Sequence, residues 1–318
     1  MDDKIIYNAL CKKFDLPIFM QDWWMDQVCG AENWLPILAV DGAGEVEAAQ
    51  VCFIYRKFGL KVIIPAPLTP FSGIWFRPVH QTFKNHAENQ RILDLTAQMA
   101  SKMPPVIFII QQFHFSFDNW LTFKWSGFRQ TTRYTYFLND LSDLKKVQSN
   151  FKGRTRTAVK KAETSISVHS DENPELIFEM VSSELATKGV RFPLGKNTFL
   201  SLDQALKAHQ SRKIYFAEDY NGKKLAAVYV VWDKSTTYLL LTAVNREVQN
   251  SNALSYLIWK SLEEASERGH SFDFEGSSLQ HIEPFFRSFG GERRAYFRIS
   301  KAKNRFWDVL FFLTGKGL

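Results

Sequence analysis

The sequence predicts an α/β protein of two tandem units, residues 1–130 and 131–318. Each is expected to be a mixed, mostly antiparallel central sheet flanked by helices. Three observations lead there. A chain of 318 residues is long for one compact domain and comfortable for two. The order strand, strand, strand, helix, strand is legible in the first 117 residues and again in the second half. A short pattern also recurs: Phe123-Lys124-Trp125-Ser126-Gly127 precedes Arg133-Tyr134, and Phe286-Arg287-Ser288-Phe289-Gly290 precedes Arg294-Ala295-Tyr296. Both read F-[KR]-x-x-G, then an Arg and a Tyr entering a strand, which favours a tandem repeat.

The elements follow from local pattern. Residues 4–14 read as a short helix, and Asp22-Trp23-Trp24 opens a second that stops near Gly30. Residues 34–40, 46–57 and 60–65 alternate or run apolar, divided by Asp41-Gly42 and Gly59, so they read as strands joined by tight turns. A Pro-rich loop from Pro65 to Pro78 leads to a helix over about 81–103, which Pro104-Pro105 stops. The run 106–117 follows as a buried strand. In the second half, 131–138 alternates as a strand, and helical segments span about 142–164, 174–188 and 197–210. Lys213–Glu218, Ala226–Trp232 and Thr237–Val244 read as strands. Residues 252–268 carry apolar residues at helical spacing, with Gly269 as the stop. A strand Ser271–Glu275, a short helix and a strand from Arg294 to Ile299 complete the order. The apolar cluster 306–313 is far shorter than the ~20 residues of a membrane span and reads as a terminal helix docked on the fold, with a membrane-surface contact as the minority reading.

Composition narrows the function classes. With 45% hydrophobic and 23% charged residues the chain is globular, and its 28 Phe, nine Trp and ten Tyr imply aromatic-rich cores. The net charge of +7 is uneven: residues 1–138 carry +1 and residues 139–318 carry +6. An anionic ligand is therefore expected on the second half. Cys11, Cys29 and Cys52 form no CxxC pair, and the first residues show no basic stretch followed by an apolar one, so no signal peptide is expected. Both features lead to an expected cytoplasmic location. The seven His residues form no HExxH or Cys/His cluster, so no metal is expected. There is no GxSxG elbow either.

Two carboxylates carry the chemical expectation. If Ser271–Glu275 is a strand, Asp273 and Glu275 share one face while Phe272 and Phe274 share the other, which should be core. The acidic face then leads into Gly276-Ser277 at the strand's C-terminal end, where ligands of α/β proteins commonly bind. Two readings stand at this point: a catalytic pair assisted by Ser277, or ion pairing with Arg293 or Arg294. Between Lys145 and Lys161 lie seven basic and no acidic residues. They form either a solvated helix face or a stripe that tracks phosphate. Arg287, beside Phe285 and Phe286, is either an anchor on aromatic rings or an anion clamp. Trp23 and Trp24 read as core first and as groove lining second.

Two segments together resemble the C-terminal half of Fem-type transferases, which have the GNAT (acyl-CoA N-acyltransferase) fold. One is Gly269-His270-Ser271-Phe272-Asp273-Phe274-Glu275-Gly276-Ser277 followed by Phe285-Phe286-Arg287-Ser288-Phe289-Gly290-Gly291. The other is Arg156-Thr157-Ala158-Val159-Lys160-Lys161-Ala162-Glu163, similar to that family's basic helix. The resemblance implies two GNAT-like domains, the second carrying the donor site, and transfer of an acyl or aminoacyl group to an amine. The acceptor would be a small molecule or a cell-wall (peptidoglycan) precursor, and no cofactor would be tightly bound. Acyl-CoA or aminoacyl-tRNA would serve as donor co-substrate, with tRNA as a partner in the second case. It would make Glu275, Asp273 and Ser277 catalytic and assign Arg156, Lys160, Lys161, Arg287 and Tyr296 to the substrate. Donor binding would fall on Asn250, Ser251, Asn252 and Ala253. That junction lacks the glycines that let backbone N–H groups approach a pyrophosphate. The alternative is a catalytically inactive GNAT-fold module that binds an anionic ligand.

Overall fold

The computed structural model describes residues 2–78, 85–170, 173–248, 252–276 and 280–313. Along the chain it places α1 Asp3–Lys13, α2 Asp22–Cys29, β1 Trp34–Val40, β2 Val46–Lys57, β3 Leu60–Ile64, β4 Trp75–Phe76, α3 Asn85–Ser101, β5 Phe108–Gln112, α4 Leu121–Trp125 and β6 Arg129–Leu138. There follow α5 Leu144–Ser149, α6 Gly153–Glu163, β7 Ser167–Ser170, α7 Pro174–Ala186, α8 Lys196–Ala208, β8 Arg212–Glu218, β9 Lys224–Trp232, β10 Thr236–Val244, α9 Ala253–Glu267, β11 Ser271–Asp273, α10 Glu283–Arg287, β12 Glu292–Ala302 and α11 Arg305–Leu313.

The chain divides into two compact units, Met1–Arg133 with Ala295–Leu318, and Tyr134–Arg294. The sequence pattern places 295–318 with the second half. The structure returns it to the first, because residues 298–302 of β12 pair antiparallel with β5. In the first unit β1, β2 and β3 form an antiparallel run, β4 adds to β2, and β5 joins β3 in parallel. In the second unit β7, β8, β9 and β10 are antiparallel, β11 joins β10 in parallel, and the end of β6 pairs antiparallel with β11.

Each sheet has its own core. In the first unit the inward residues of the strands, Ile37, Cys52, Ile63 and Ile109, pack with Leu95 and Met99 of α3. In the second, Val228, Val230 and Leu239 pack with Leu257, Ile258 and Leu262 of α9. The expectation of core positions for Phe272 and Phe274 is met: both are fully buried, with ring centroids 5.0 Å apart. Trp24 is also core, and its indole N–H donates to Thr69 Oγ1 at 2.9 Å. The predicted helix over 142–164 is two helices, because the chain turns at Asn150–Lys152 to bury Phe151 between Trp259 and Phe289. Among the described residues no helix is long and apolar enough to cross a membrane.

The repeated F-[KR]-x-x-G pattern has one local structure at both places. A five-residue helix (α4, α10) ends in a glycine whose N–H donates to the carbonyl of Lys124 or Arg287, and a strand follows. Gly127 and Gly290 both hold positive φ, +82° and +73°, where a Cβ is strained.

Candidate active site

The second unit brings its two motifs together. Thr155 on α6 hydrogen-bonds Ser288 through the two hydroxyls at 2.8 Å, and the Lys152 N–H donates to the Ser288 carbonyl at 2.8 Å. A Cβ on Gly290 would meet the Asn150 carbonyl oxygen at 2.7 Å, so only glycine allows the α10–β12 turn to lie against the α5–α6 turn. Phe274, Phe285, Phe286 and Phe289 form the aromatic layer beneath. That layer fixes the end of β11, where the acidic pair sits.

Strand alternation does not reach Glu275. β11 ends at Asp273, and although the Phe274 N–H still donates to the Tyr136 carbonyl at 3.0 Å, Glu275 turns into the left-handed region at φ +52°. The Asp273 carboxylate makes this turn, accepting from the Glu275 N–H at 2.8 Å and from the Thr135 hydroxyl at 2.5 Å. Thr135 in turn accepts from the Gly276 N–H at 3.1 Å. Gly276 is required for a reason other than sharp turning: its Cβ would lie 2.3 Å from the Tyr134 carbonyl oxygen and 2.5 Å from Thr135 Cα.

The two carboxyls therefore have different duties. Asp273 is buried and holds the turn. Burial raises its pKa to about 6, although the Thr135 hydroxyl and the Glu275 N–H pull the other way. Glu275 is half-buried as a residue, but its Oε1 is fully enclosed and has no hydrogen-bond partner among the described residues. Burial, and then the charge of Asp273, push its pKa well above the usual carboxylate range. An enclosed carboxyl with an unfilled acceptor atom is poised for a donor from outside the chain, such as an ammonium group. Of the arginines weighed against this pair, Arg294 bonds Glu292 at 2.7 Å and Arg293 lies over the Tyr134 ring.

The remaining predicted residues are distributed more widely. Arg156 points its guanidinium at backbone, donating to the carbonyls of Ser149 and Phe151 at 2.6 and 2.5 Å, so it closes the end of α5. Lys160 and Lys161 are exposed in the last turn of α6, whose other face buries Thr155, Val159 and Ala162. Arg287 is exposed and ion-pairs with Glu283 at 3.0 Å, and Glu283 also accepts from the Tyr136 hydroxyl. Tyr296 is half-buried on the part of β12 that belongs to the first unit. Asn252 takes φ +58° and contributes no side-chain cap to α9, while Ala253 is buried as its first residue. Asn250, Ser251 and Ser277 lie outside the described residues.

Nothing in the sequence singles out Thr135, Tyr136 or Glu283. Only alternation within 131–138 pointed at the first two, and it carried no sign of which hydroxyl would meet Asp273. The thiols offer no nucleophile: burial pushes each of Cys11, Cys29 and Cys52 up to about 12.

Residues 145–286 match the acetyltransferase (GNAT) domain family, a span that runs from α5 through α10 and includes Asp273 and Glu275. No curated protein matches the sequence. Among solved structures, FemX aligns over 98% of each chain with a TM-score of 0.65 at 13% identity. L-PGS from Bacillus licheniformis aligns over 98% of this chain and 96% of its own, with a TM-score of 0.56 at 10% identity. A tandem GNAT protein from the clavulanic acid biosynthesis pathway aligns over 92% and 98%, with a TM-score of 0.50 at 11% identity. At such identities the likeness is one of fold, and the fold is that of tandem GNAT proteins.

Proposed function

We propose that the chain, whose residues 145–286 match the acetyltransferase (GNAT) domain family, is a Fem-like N-acyltransferase that moves an acyl or aminoacyl group onto an amine. The carrying observation is the enclosed Glu275 carboxyl, with an unfilled acceptor atom, at the end of β11. In this reading the proton of Glu275 passes to solvent as an ammonium pairs with the carboxylate, which then takes one proton from that ammonium. The freed amine attacks the carbonyl carbon of the donor. A new C–N bond forms, the donor's C–S or C–O bond breaks, and the leaving thiolate or alkoxide takes up a proton. Asp273 acts on Glu275 by fixing the turn and by repelling its charge.

The donor belongs at the β10–α9 junction in this reading. Support comes from α9 itself, a 15-residue helix with no acidic residue in its first turn, so its N-terminal dipole stands without a competing charge there. Lys160 and Lys161 are the exposed cations for an RNA donor, and a cell-wall precursor is the acceptor that the sequence resemblance to Fem-type transferases implies. The glycine-free junction favours the other reading, a binding module without turnover.

The deciding experiment offers the purified chain radiolabelled acetyl-CoA or aminoacyl-tRNA with a panel of amine acceptors. Product formation from either donor supports transfer. Saturable donor binding with no product on any acceptor, and no proton release, would establish the binding module instead. With tRNA, affinity should fall steeply with salt as counterions are released.

A further inference from the structure

The first unit holds a groove that the proposed chemistry does not use. Alternate residues of β3 and β5 face opposite ways. Ile63 and Ile109 enter the core, while Val62, Ile64, Phe108 and Ile110 line the opposite face. There the sheet is covered by α11, whose Phe311 ring stacks on Phe108 at 4.0 Å. Between them lies a groove of about 850 Å³. Its walls are mostly apolar, yet the charged residues among them are all cations: Lys57, Arg133 and Arg298, with no Asp or Glu. Arg133 Nε is enclosed and has no hydrogen-bond partner among the described residues. Burial, and then the charge of Arg133, lower the pKa of Arg298, which places two guanidiniums near one another. At the mouth stand exposed apolar side chains, Phe58 at 91% and Leu310 at 41%.

An apolar trough suits a hydrocarbon, and the unfilled, enclosed donor of Arg133 beside other cations suits an anion. We infer that this groove binds an anionic amphiphile, with an alkyl chain along β3 and β5 and a phosphate or carboxylate head held by Arg133 and Arg298. The volume falls within the usual range of ligand pockets, roughly 300–1,000 Å³. Guanidinium suits such a head because its planar fork matches two oxygens at once. The inference stands on the first unit alone and does not depend on transferase activity in the second.

Calorimetric titration of the full chain with octyl, decyl and dodecyl phosphate below their micelle concentrations tests it, with dodecanol and inorganic phosphate as controls. One site is expected, tightening roughly fourfold for each methylene added. Arg133→Gln and Arg298→Gln should each weaken dodecyl phosphate about tenfold or more while leaving dodecanol unchanged. Ile110→Trp should block both by filling the groove. If an arginine variant does not fold, Lys57→Gln and the chain-length series on the wild type still decide. Sedimentation with phosphatidylglycerol but not phosphatidylcholine vesicles would place the amphiphile in a bilayer. Binding of dodecyl phosphate without vesicle binding would make it a free molecule. The inference fails if dodecyl phosphate binds no tighter than dodecanol, if chain length has no effect, or if both vesicle types bind equally.

Discussion

The two sheets have the same plan and opposite polar contents. In each, three antiparallel strands lead through a helix to a parallel strand, and an antiparallel strand from elsewhere in the chain closes the set. On the parallel strand of the first unit the buried polar group is Gln111. Its amide donates to Cys52 Sγ at 2.9 Å and accepts from the Ser72 hydroxyl. The parallel strand of the second unit instead ends in Asp273, with Glu275 just beyond it, two carboxyls that burial drives upward in pKa. A neutral, bonded amide is tolerated inside a protein, whereas a buried carboxyl is costly once ionised. One copy of the plan is thus closed chemically, and the other keeps a titratable group at its strand end.

The largest expected effect comes from Glu275→Gln, which makes the second strand end resemble the first. Turnover on the donor and acceptor identified as above should fall about 10²–10⁴-fold. Because glutamine keeps the size and hydrogen-bonding capacity of the enclosed carboxyl, the melting temperature should hold or rise. Unchanged turnover would return Glu275 to a structural role and erase the contrast.

Next is the pH dependence of stability. The folded pKa of Asp273 stands above its unfolded value, so the folded state holds the proton more tightly. Its stabilisation is complete below the ordinary value of 3.8 and is lost as pH rises to about 6. That loss is about 3 kcal/mol by linkage. In urea melts across this window Asp273→Asn, which keeps both hydrogen bonds to Oδ1, should flatten the slope. Gln111→Glu in the first unit should add a slope of the same sign. A slope indifferent to both changes would break the comparison.

Smaller again is Gly276→Ala. The added methyl meets backbone of Tyr134 and Thr135 and should cost about 1–3 kcal/mol, read as a lower Tm. Smallest is the double change Lys160→Glu with Lys161→Glu. Both side chains are exposed, so stability should shift by no more than about 0.5 kcal/mol each. Loss of tRNA binding in that variant, with the fold intact, would assign the second unit's positive charge to RNA.

Much of the fold was legible because its signals are local. Gly59 and the alternation around it marked β2 and β3 to within a residue, and helical spacing with Gly269 marked α9. What escaped depends on distant partners. β4 is two residues, Trp75 and Phe76, visible only through pairing with Ala48 and Ala49. β7, Ser167–Ser170, has a single apolar residue and is defined by β8. The site divided in the same way. Asp273 and Glu275 stand out as acids among phenylalanines, but the turn at Glu275 is made by an Asp273 carboxylate that is held by a hydroxyl 138 positions before it, on Thr135. Arg156, aligned with Lys160 by helical spacing, is diverted to carbonyls that only the break after α5 exposes.

The return of β12 to the first unit carries a consequence for how the protein is made. Residues 298–302 complete the hydrogen bonding of β5, whose other edge is already taken by β3. On the ribosome, strands β1 to β5 emerge long before that partner. Throughout synthesis of the second unit, residues 108–112 offer an unpaired, apolar strand edge, the kind of surface on which nascent chains stick to one another. The second unit has all its strands through β11 before β12 emerges, so the later-made unit is free to fold first. Ribosome-stalled chains cut before residue 295 should then show a protease-resistant second unit and a protease-sensitive first one, the reverse of the order of translation.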